Sequence, residues 1–507
     1  TLTFDSNGET SLAGRTYADA GRLTITATAN INNTTIESGS NQLDSIPAQL
    51  QASTNASAVS AAGAGHTLTI TALGANGSPL PGYQPGDLQM AVTRQAPASA
   101  SASEGQYYVS ANQSVSSSAT QNWQSVSVPA FSAGAYSYSE AYMSEVGTYK
   151  FDLRDNGYLG QTIAATGASL GRYTPAYFEV VAATTPQIEP SCSAAFTYLG
   201  QSFAFAAGAE PALQITAYNA KGQVTANYSD ALWALSPSAS SLSDMYFTDN
   251  SGYSGTLNTL NAGSTPVVTD SADYDGDGVM TVYDTSLEYS KIATPATGAG
   301  NGSPFTADVD IIVGSSVLTD TDGICYQSSY PNGCESFTIP SVQGSEMRYG
   351  RLRLENSFGP ETETLRLPVI AEYFNNGNWL VNTDDSCTAV AFTQSTGQIT
   401  LENTSTGNDE QDITGLLSGI SGSGTLTNGE SANGVIAVGP AMSNGVAVRG
   451  SVRIRLDPAA PGANWANHLN IDWDGDGDID ADDSPAADLF FGIYRGNDRT
   501  IHMREGF

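Results

Sequence analysis

Apolar and polar residues alternate with a period of two along most of this chain, and that period constrains the fold more than any other feature. It is plain in "GRLTITATA" (21–29), "HTLTITALG" (66–74), "GTYKFDLRD" (147–155), "RYGRLRLEN" (348–356) and "VRIRLD" (452–457). Successive side chains of a strand point to opposite faces, so such segments bury one face and wet the other. Clusters of Gly, Asn, Asp and Pro separate them, and no long run carries apolar residues at i, i+3 and i+4 between helix caps. Short strands with turn-rich connections predict an all-β chain, built as tandem immunoglobulin-like β-sandwich domains.

The 507 residues are enough for several domains. Linker-like passages near 52–65, 182–190, 294–304 and 403–434 divide the chain into 1–58, 59–184, 185–300, 301–402 and 403–507. An internal echo supports a repeat: "DAGRLTITA" (19–27) aligns with "EVGTYKFDL" (145–153), an acid, a small residue and Gly, then alternation. The second copy has the pattern of strand F in immunoglobulin-like domains, with Phe151 where those domains often carry a cysteine. The first copy stands too early for a whole sandwich to precede it. The segment 1–58 therefore reads as a partial domain with an open sheet edge, to which another molecule can add a strand. The chain opens on Thr1 without a start Met, which reads as a mature or trimmed N-terminus.

Eighteen basic residues against 51 acidic ones leave a net charge of −33. That balance argues against nucleic acid, whose phosphates need clustered Lys and Arg, and against an anionic membrane surface. No apolar run is long enough to span a membrane. Plentiful aromatic residues in alternating segments argue against disorder. Only Lys150, Lys221 and Lys291 represent lysine, and low Lys with high Asp fits salty extracellular surroundings. The four cysteines form no CxxC pair. Their even number in a secreted-looking chain favours two disulfides, of which Cys325–Cys334 would close the short loop "CYQSSYPNGC" and leave Cys192 with Cys387; free buried thiols are the alternative.

"DWDGDGDIDADD" (472–483) concentrates carboxylates that should repel unless a cation sits among them. An EF-type calcium loop takes oxygen ligands from positions 1, 3, 5, 7, 9 and 12, with Gly at 6 for the sharp turn. Counted from Asp472, those positions are Asp472, Asp474, Asp476, Asp478, Asp480 and Asp483, with Gly477 at the turn and apolar Ile479 after it. "DYDGDGVMTVYD" (273–284) repeats the spacing with Asp273, Asp275, Asp277, Val279, Thr281 and Asp284 around Gly278. Position 7 binds through its backbone carbonyl, so Val279 serves there. Both windows therefore predict structural Ca²⁺ sites, with a metal-free Asx-turn or Mg²⁺ as alternatives. Both end in Asp where Glu is usual, as in dockerins. Pro485 and a strand-like "LFFGIY" follow the second, so the loops are expected on β-domains and not in helix–loop–helix units. Asp320-x-Asp322-Gly323 repeats the pattern only far enough to predict a turn.

Catalytic motifs are scarce. There are three histidines and no HExxH, GxGxxG or GxxxxGK[ST]. "GASLG" (167–171) has the GxSxG form around Ser169, but it leads into another strand, whereas a nucleophile elbow leads into a helix. No enzymatic activity is expected. Arg351, Arg353, Arg453 and Arg455 alternate with apolar residues and read as a solvated strand face paired with acids. Trp123, Tyr136, Tyr138 and Tyr142 are candidates for a sugar-stacking face, against the commoner role of core aromatics.

The stretch "RYGRLRLENSFGPETETLRLPVIAEYFNNGNWLVNTDDSCTAV" (348–390) resembles the C-terminal region of MshQ-like proteins, associated with biogenesis of mannose-sensitive haemagglutinin pili, a type IV pilus system. "GRYTPAYFEV" (171–180), "FTYLGQSFAF" (196–205) and the closing "DWDGDGDIDADDSPAADLFFGIYRGNDRTIHMREGF" fit the same region. The resemblance implies a large Gram-negative surface protein built of β-domains, and it transfers no catalytic residue and no sugar site. Three functions are then in play. The first is a calcium-stiffened adhesin stalk or tip component that meets pilus components. The second is an extracellular filament subunit that meets copies of itself. The third is a secreted polysaccharide-active enzyme.

Overall fold

The computed structural model describes residues 3–493, apart from 8, 12, 32, 165–166, 193–194, 238–241, 262–265, 283–284, 299, 394–397, 408, 432–433, 458–463, 474, 478 and 480–482. Its secondary structure is almost entirely strand. The alternating segments fall in Gly21–Ile31, His66–Leu73, Gly147–Tyr158, Phe337–Arg348 with Gly350–Leu354, and Gly450–Leu456. Helical turns are short, the longest described being Asn464–Leu469. No helix among the described residues is long and apolar enough to cross a membrane. The chain is an all-β protein of packed β-sheets, and its buried apolar side chains gather into three cores, where the linker-like passages mark five segments.

The first core lies under one continuous sheet whose order begins Gln49–Thr54, His66–Leu73, Ala135–Met143 and ends Leu88–Ala96, Gly147–Tyr158, Ala168–Thr174, Val59–Ala61. Leu68, Ile70, Met90, Val92, Tyr107, Phe151 and Leu153 fill it; Leu68 and Ile70 alternate with part-exposed threonines, while the central strands are buried on both faces at Ala91 and Asp152. Residues 49–54 thus belong to this sandwich. The part of 1–58 before them is a two-stranded ribbon, Gly21–Ile31 against Thr34–Ser45, with both outer edges unpaired among the described residues. The echo noticed in the sequence is a repeated corner. Asp19 Oδ1 accepts from Ala20 N at 2.7 Å and Glu145 Oε1 from Val146 N at 2.9 Å, and Gly21 and Gly147 follow at φ 148° and 138°. Only the second copy has its tyrosine: Tyr149 Oη donates to the Val146 carbonyl at 3.0 Å, the tyrosine corner of immunoglobulin-like sandwiches.

The second core lies between two four-stranded sheets. One has the order Tyr177–Ala182, Ala212–Tyr218, Asp277–Thr281, Val267–Thr269, and the other Phe196–Tyr198, Phe337–Arg348, Phe305–Val313, Met245–Asp249. The third core collects Leu352, Leu367, Phe392, Ile436, Ile454, Leu489 and Phe491 from the strands after Tyr349. The units are stitched together. Phe196–Tyr198 pairs in the middle unit's sheet while its side chains Phe196 and Tyr198 pack in the third core. Both disulfides, Cys192–Cys387 and Cys325–Cys334, are present as the cysteine count favoured, and no described cysteine is free. The first spans 195 residues and fastens the middle unit's 192–198 segment to the third.

Candidate functional site

The hairpin Val267–Thr269/Asp277–Thr281 carries only the start of the first aspartate window, residues 273–276, at its tip; from Asp277 to Thr281 the window is strand and not loop. The chain turns there through Ala272 and Tyr274 at φ 54° and 60° and Gly276 at 79°, left-handed conformations that a tight reversal needs. The turn brings Asp273 and Asp275 together with Asp270, their carboxylate oxygens within 4.8 Å of one another. Burial pushes the Asp275 carboxyl above its ordinary value, and the charges on Asp277 and Asp273 add to that. Asp270 also accepts from Ser229 Oγ at 2.9 and 3.0 Å and from Asp230 N at 2.5 Å. Asp277 turns away to Gln214 Nε2 at 2.8 Å, and Val279 and Thr281 are strand residues paired with Gln214 and Ala212. Asp284 lies outside the described residues. Three converging carboxylates make an all-oxygen donor set, the chemistry that hard divalent cations take. Asp270 was missed from sequence because it stands before the twelve-residue window; the strand end that carries it was the available signal.

The second window closes on its own start. Asp472 Oδ1 accepts from Gly475 N at 2.5 Å and Oδ2 from Gly477 N at 3.0 Å. Asp483, almost fully buried, reaches back to Trp473 N at 2.5 Å. First and last positions of the window are thereby neighbours, and Gly475 and Gly477 take φ 82° and 97° between them. Asp476 is exposed at the tip; Asp474, Asp478 and Asp480 lie outside the described residues.

The remaining candidates fall into place. Asp320 caps a turn, accepting from Asp322 N and Ile324 N at 2.9 Å each, while Asp322 pairs with Arg172 at 2.5 Å. That guanidinium holds the Asp322 carboxyl below its ordinary value. Ser169 sits within the strand Ala168–Thr174 opposite Lys150, not on an elbow. Arg453 pairs with Asp488 and Arg455 with Glu402 on a part-exposed strand face, as expected. Arg351 and Arg353, in contrast, both pair at 2.7 Å with Glu372, which is buried, and the Arg351 guanidinium lies 3.9 Å over the Trp379 ring, so that pair is not the solvated face the alternation suggested. The four aromatics proposed as a sugar face are distributed. Tyr138 is core, Tyr136 meets it edge-on, Tyr142 stacks on Tyr108, and Trp123 lies under the Arg154 guanidinium.

Stacked β-sheets over serial cores, disulfide staples and acid-rich loops define a multidomain β-sandwich protein. Within that class the chain carries two named domains of one family: residues 145–341 match DUF6701, third domain, and residues 348–506 match DUF6701, fourth domain. The break between them falls within the strand Phe337–Arg348, close to where the second core gives way to the third. No curated protein matches the chain. Among solved structures it is similar to the Escherichia coli adhesin FdeC, with 12% identity over 88% of this chain and 98% of that one, at a TM-score of 0.29. It is also similar to invasin, a bacterial integrin-binding protein, with 10% identity over 80% of this chain and 56% of that one, at 0.20. The zebrafish RET cadherin-like domains 1 to 4 share 9% identity over 76% of this chain and 65% of theirs, at 0.26.

Proposed function

We propose that this is a calcium-stabilised structural protein of the outer surface of a Gram-negative bacterium, a stalk or tip component of an adhesive pilus system. The observation that carries the structural role is how consecutive units are joined. Glu145, at the end of the first sandwich, accepts from Val146 N, Asn227 N and Ala226 N, and Asn227 in turn bonds Ser103 and Val146. Buried, satisfied polar contacts of this kind fix an orientation, as mobile linkers do not. The calcium reading rests on the two aspartate windows and on the convergence of Asp270, Asp273 and Asp275; the pilus reading rests on the resemblance at 348–390. An ion at each loop would tie a long acidic turn that otherwise repels itself, so stability would depend on calcium. Differential scanning calorimetry with and without chelator tests this: added Ca²⁺ should raise the melting temperature, and Asp275→Asn should blunt the rise. Identical profiles with calcium and with chelator would sink the calcium reading.

The ribbon favours a second reading, a filament subunit. Ile25, Ile36 and Leu43 are each about half exposed on it, and Leu23 pairs across the ribbon with Leu43. A two-stranded ribbon is marginal in water until a third strand or a packed face completes it. Electron micrographs of the purified chain distinguish the two: regular homopolymers favour the filament, dispersed particles the stalk.

A further inference from the structure

We propose that the disulfide-closed loop Cys325–Cys334 and the strand beside it form a binding cleft for a neutral pyranose sugar. The cleft is a separate feature from the aspartate loops and from the four aromatics named above. The loop is docked as an extra edge on the strand Tyr177–Ala182: Phe178 N donates to the Cys325 carbonyl at 2.9 Å, and Gln327 N donates to the Phe178 carbonyl at 3.2 Å. Its interior is braced as well. Glu335 Oε2 accepts from Ser328 N at 3.2 Å, Gln327 Oε1 accepts from Gly333 N at 3.4 Å, and the disulfide joins its ends.

Between loop and strand opens a cleft of about 500 Å³, lined by Tyr177, Glu179, Gly222, Tyr326, Gln327 and Tyr330. That is within the size range of small-ligand sites. Tyr177 lies nearly parallel to Tyr218 (centroids 5.4 Å, 15°) and to Tyr330 (5.0 Å, 18°). The three rings stack in a row with Tyr177 in the middle, and Tyr330 at the end, 38% exposed, is the ring that serves as a ledge in the cleft. A ring face suits the apolar C–H side of a pyranose, and a tyrosine adds a hydroxyl at its edge. Glu179 stands beside the ledge, exposed, and a carboxylate accepts strong hydrogen bonds from hydroxyl groups.

No Lys or Arg is among the lining residues; Lys221, between the lining residues Ala220 and Gly222, carries its ammonium over the Tyr142 ring at 5.3 Å, and Glu335 adds a second negative charge nearby. Phosphorylated, sulfated or carboxylated ligands would be repelled, which selects an uncharged polyol over a nucleotide or an acidic glycan. A loop already closed by a disulfide and bonded to its strand loses little freedom on binding, so a single sugar ring can be held.

Saturation-transfer NMR on the full chain in calcium-containing buffer tests this. The probes are methyl galactopyranoside, methyl mannopyranoside, methyl glucopyranoside and methyl N-acetylglucosaminide. At least one should receive saturation with an affinity on the order of 1 mM, which is what one ring can supply. Tyr330→Ala and Glu179→Gln should each weaken it about tenfold, with the melting profile of each variant recorded alongside to separate lost binding from lost fold. No transfer to any of the four overturns the proposal. So does transfer that survives both substitutions, or displacement of the sugar by a proline-rich peptide, the other ligand that favours aromatic clefts. Because calcium is present throughout and the variants leave the aspartate loops alone, failure here is separate from failure of the calcium reading.

Discussion

Glu145 shows how one residue can set a pH dependence. It is a buried acid whose carboxylate accepts three backbone N–H groups, yet desolvation outweighs them and its pKa is raised from 4.5 to about 7. Between those values the unfolded chain has released the proton that the folded chain still holds. Stability contributed by this residue therefore falls as pH rises through the window, by roughly 3 kcal/mol at most, and levels off above it. Glu145→Gln should flatten that slope, which urea midpoints of variant and wild type across the window would reveal; parallel curves would remove Glu145 from the account. The glycine after it makes a second test. A Cβ on Gly147 would lie 2.3 Å from the Ala96 carbonyl oxygen, whereas one on Gly21 meets nothing within 4 Å, though both have positive φ. Gly147→Ala should thus cost more than Gly21→Ala, the excess being about 2 kcal/mol by denaturant titration. The acid-x-Gly pattern was legible in the sequence because a corner is local. Which copy is pressed against a neighbouring strand was not, since Ala96 lies far from Gly147 in the chain.

Strands, more than any other element, could be read from the sequence. Period-two alternation marked 147–155 and 452–457, which fall in the strands Gly147–Tyr158 and Gly450–Leu456 with ends off by one to three residues, because burial of one face is written into every second position. What alternation cannot say is which strand lies beside which. Gln49–Thr54 was read with the segment before it and instead edges the first sandwich beside His66–Leu73, since pairing is decided by packing over a shared core. The aspartate loops divide in the same way: the spacing named Asp273 and Asp275, while the end of a neighbouring strand supplied Asp270. The ribbon Gly21–Ile31/Thr34–Ser45 is the least supported element, anchored mainly through Ala20 in the first core and Asp19, which accepts from Gly82 N at 2.7 Å. Its amides should exchange with solvent far faster than those of Gly147–Tyr158, because few buried contacts must break to open it. Hydrogen exchange followed by mass spectrometry checks this. Protection of the ribbon that grows with protein concentration would instead favour the filament reading.

At the scale of the whole molecule, Lys291 joins what the chain keeps far apart. Its ammonium is buried and donates to the carbonyls of Gly350 at 2.6 Å, His468 at 2.8 Å and Asn470 at 2.5 Å, with the Tyr349 ring 4.6 Å away. Those partners stand 59, 177 and 179 positions along the sequence, which is why nothing in the pattern around Lys291 announces the contact. It fastens the middle unit to the turn Asn464–Leu469, three positions beyond which the second aspartate window begins at Asp472. Ile471 reinforces the joint by packing in the middle core although it sits at the threshold of that window. Lys291→Met keeps the length of the stem but removes the charge and all three donors, leaving three carbonyls without their donor. Each such loss costs about 1–3 kcal/mol, so a total of about 3 kcal/mol or more is expected. The shape of unfolding should change as well. Coupled units melt together; once the latch is gone, the first transition in a calorimetric scan should separate from the rest, with the acidic window loosening alongside the third core. A variant that melts in the wild-type manner would mean that the Cys192–Cys387 disulfide and the shared strand Phe196–Tyr198 suffice to couple these units without the buried lysine.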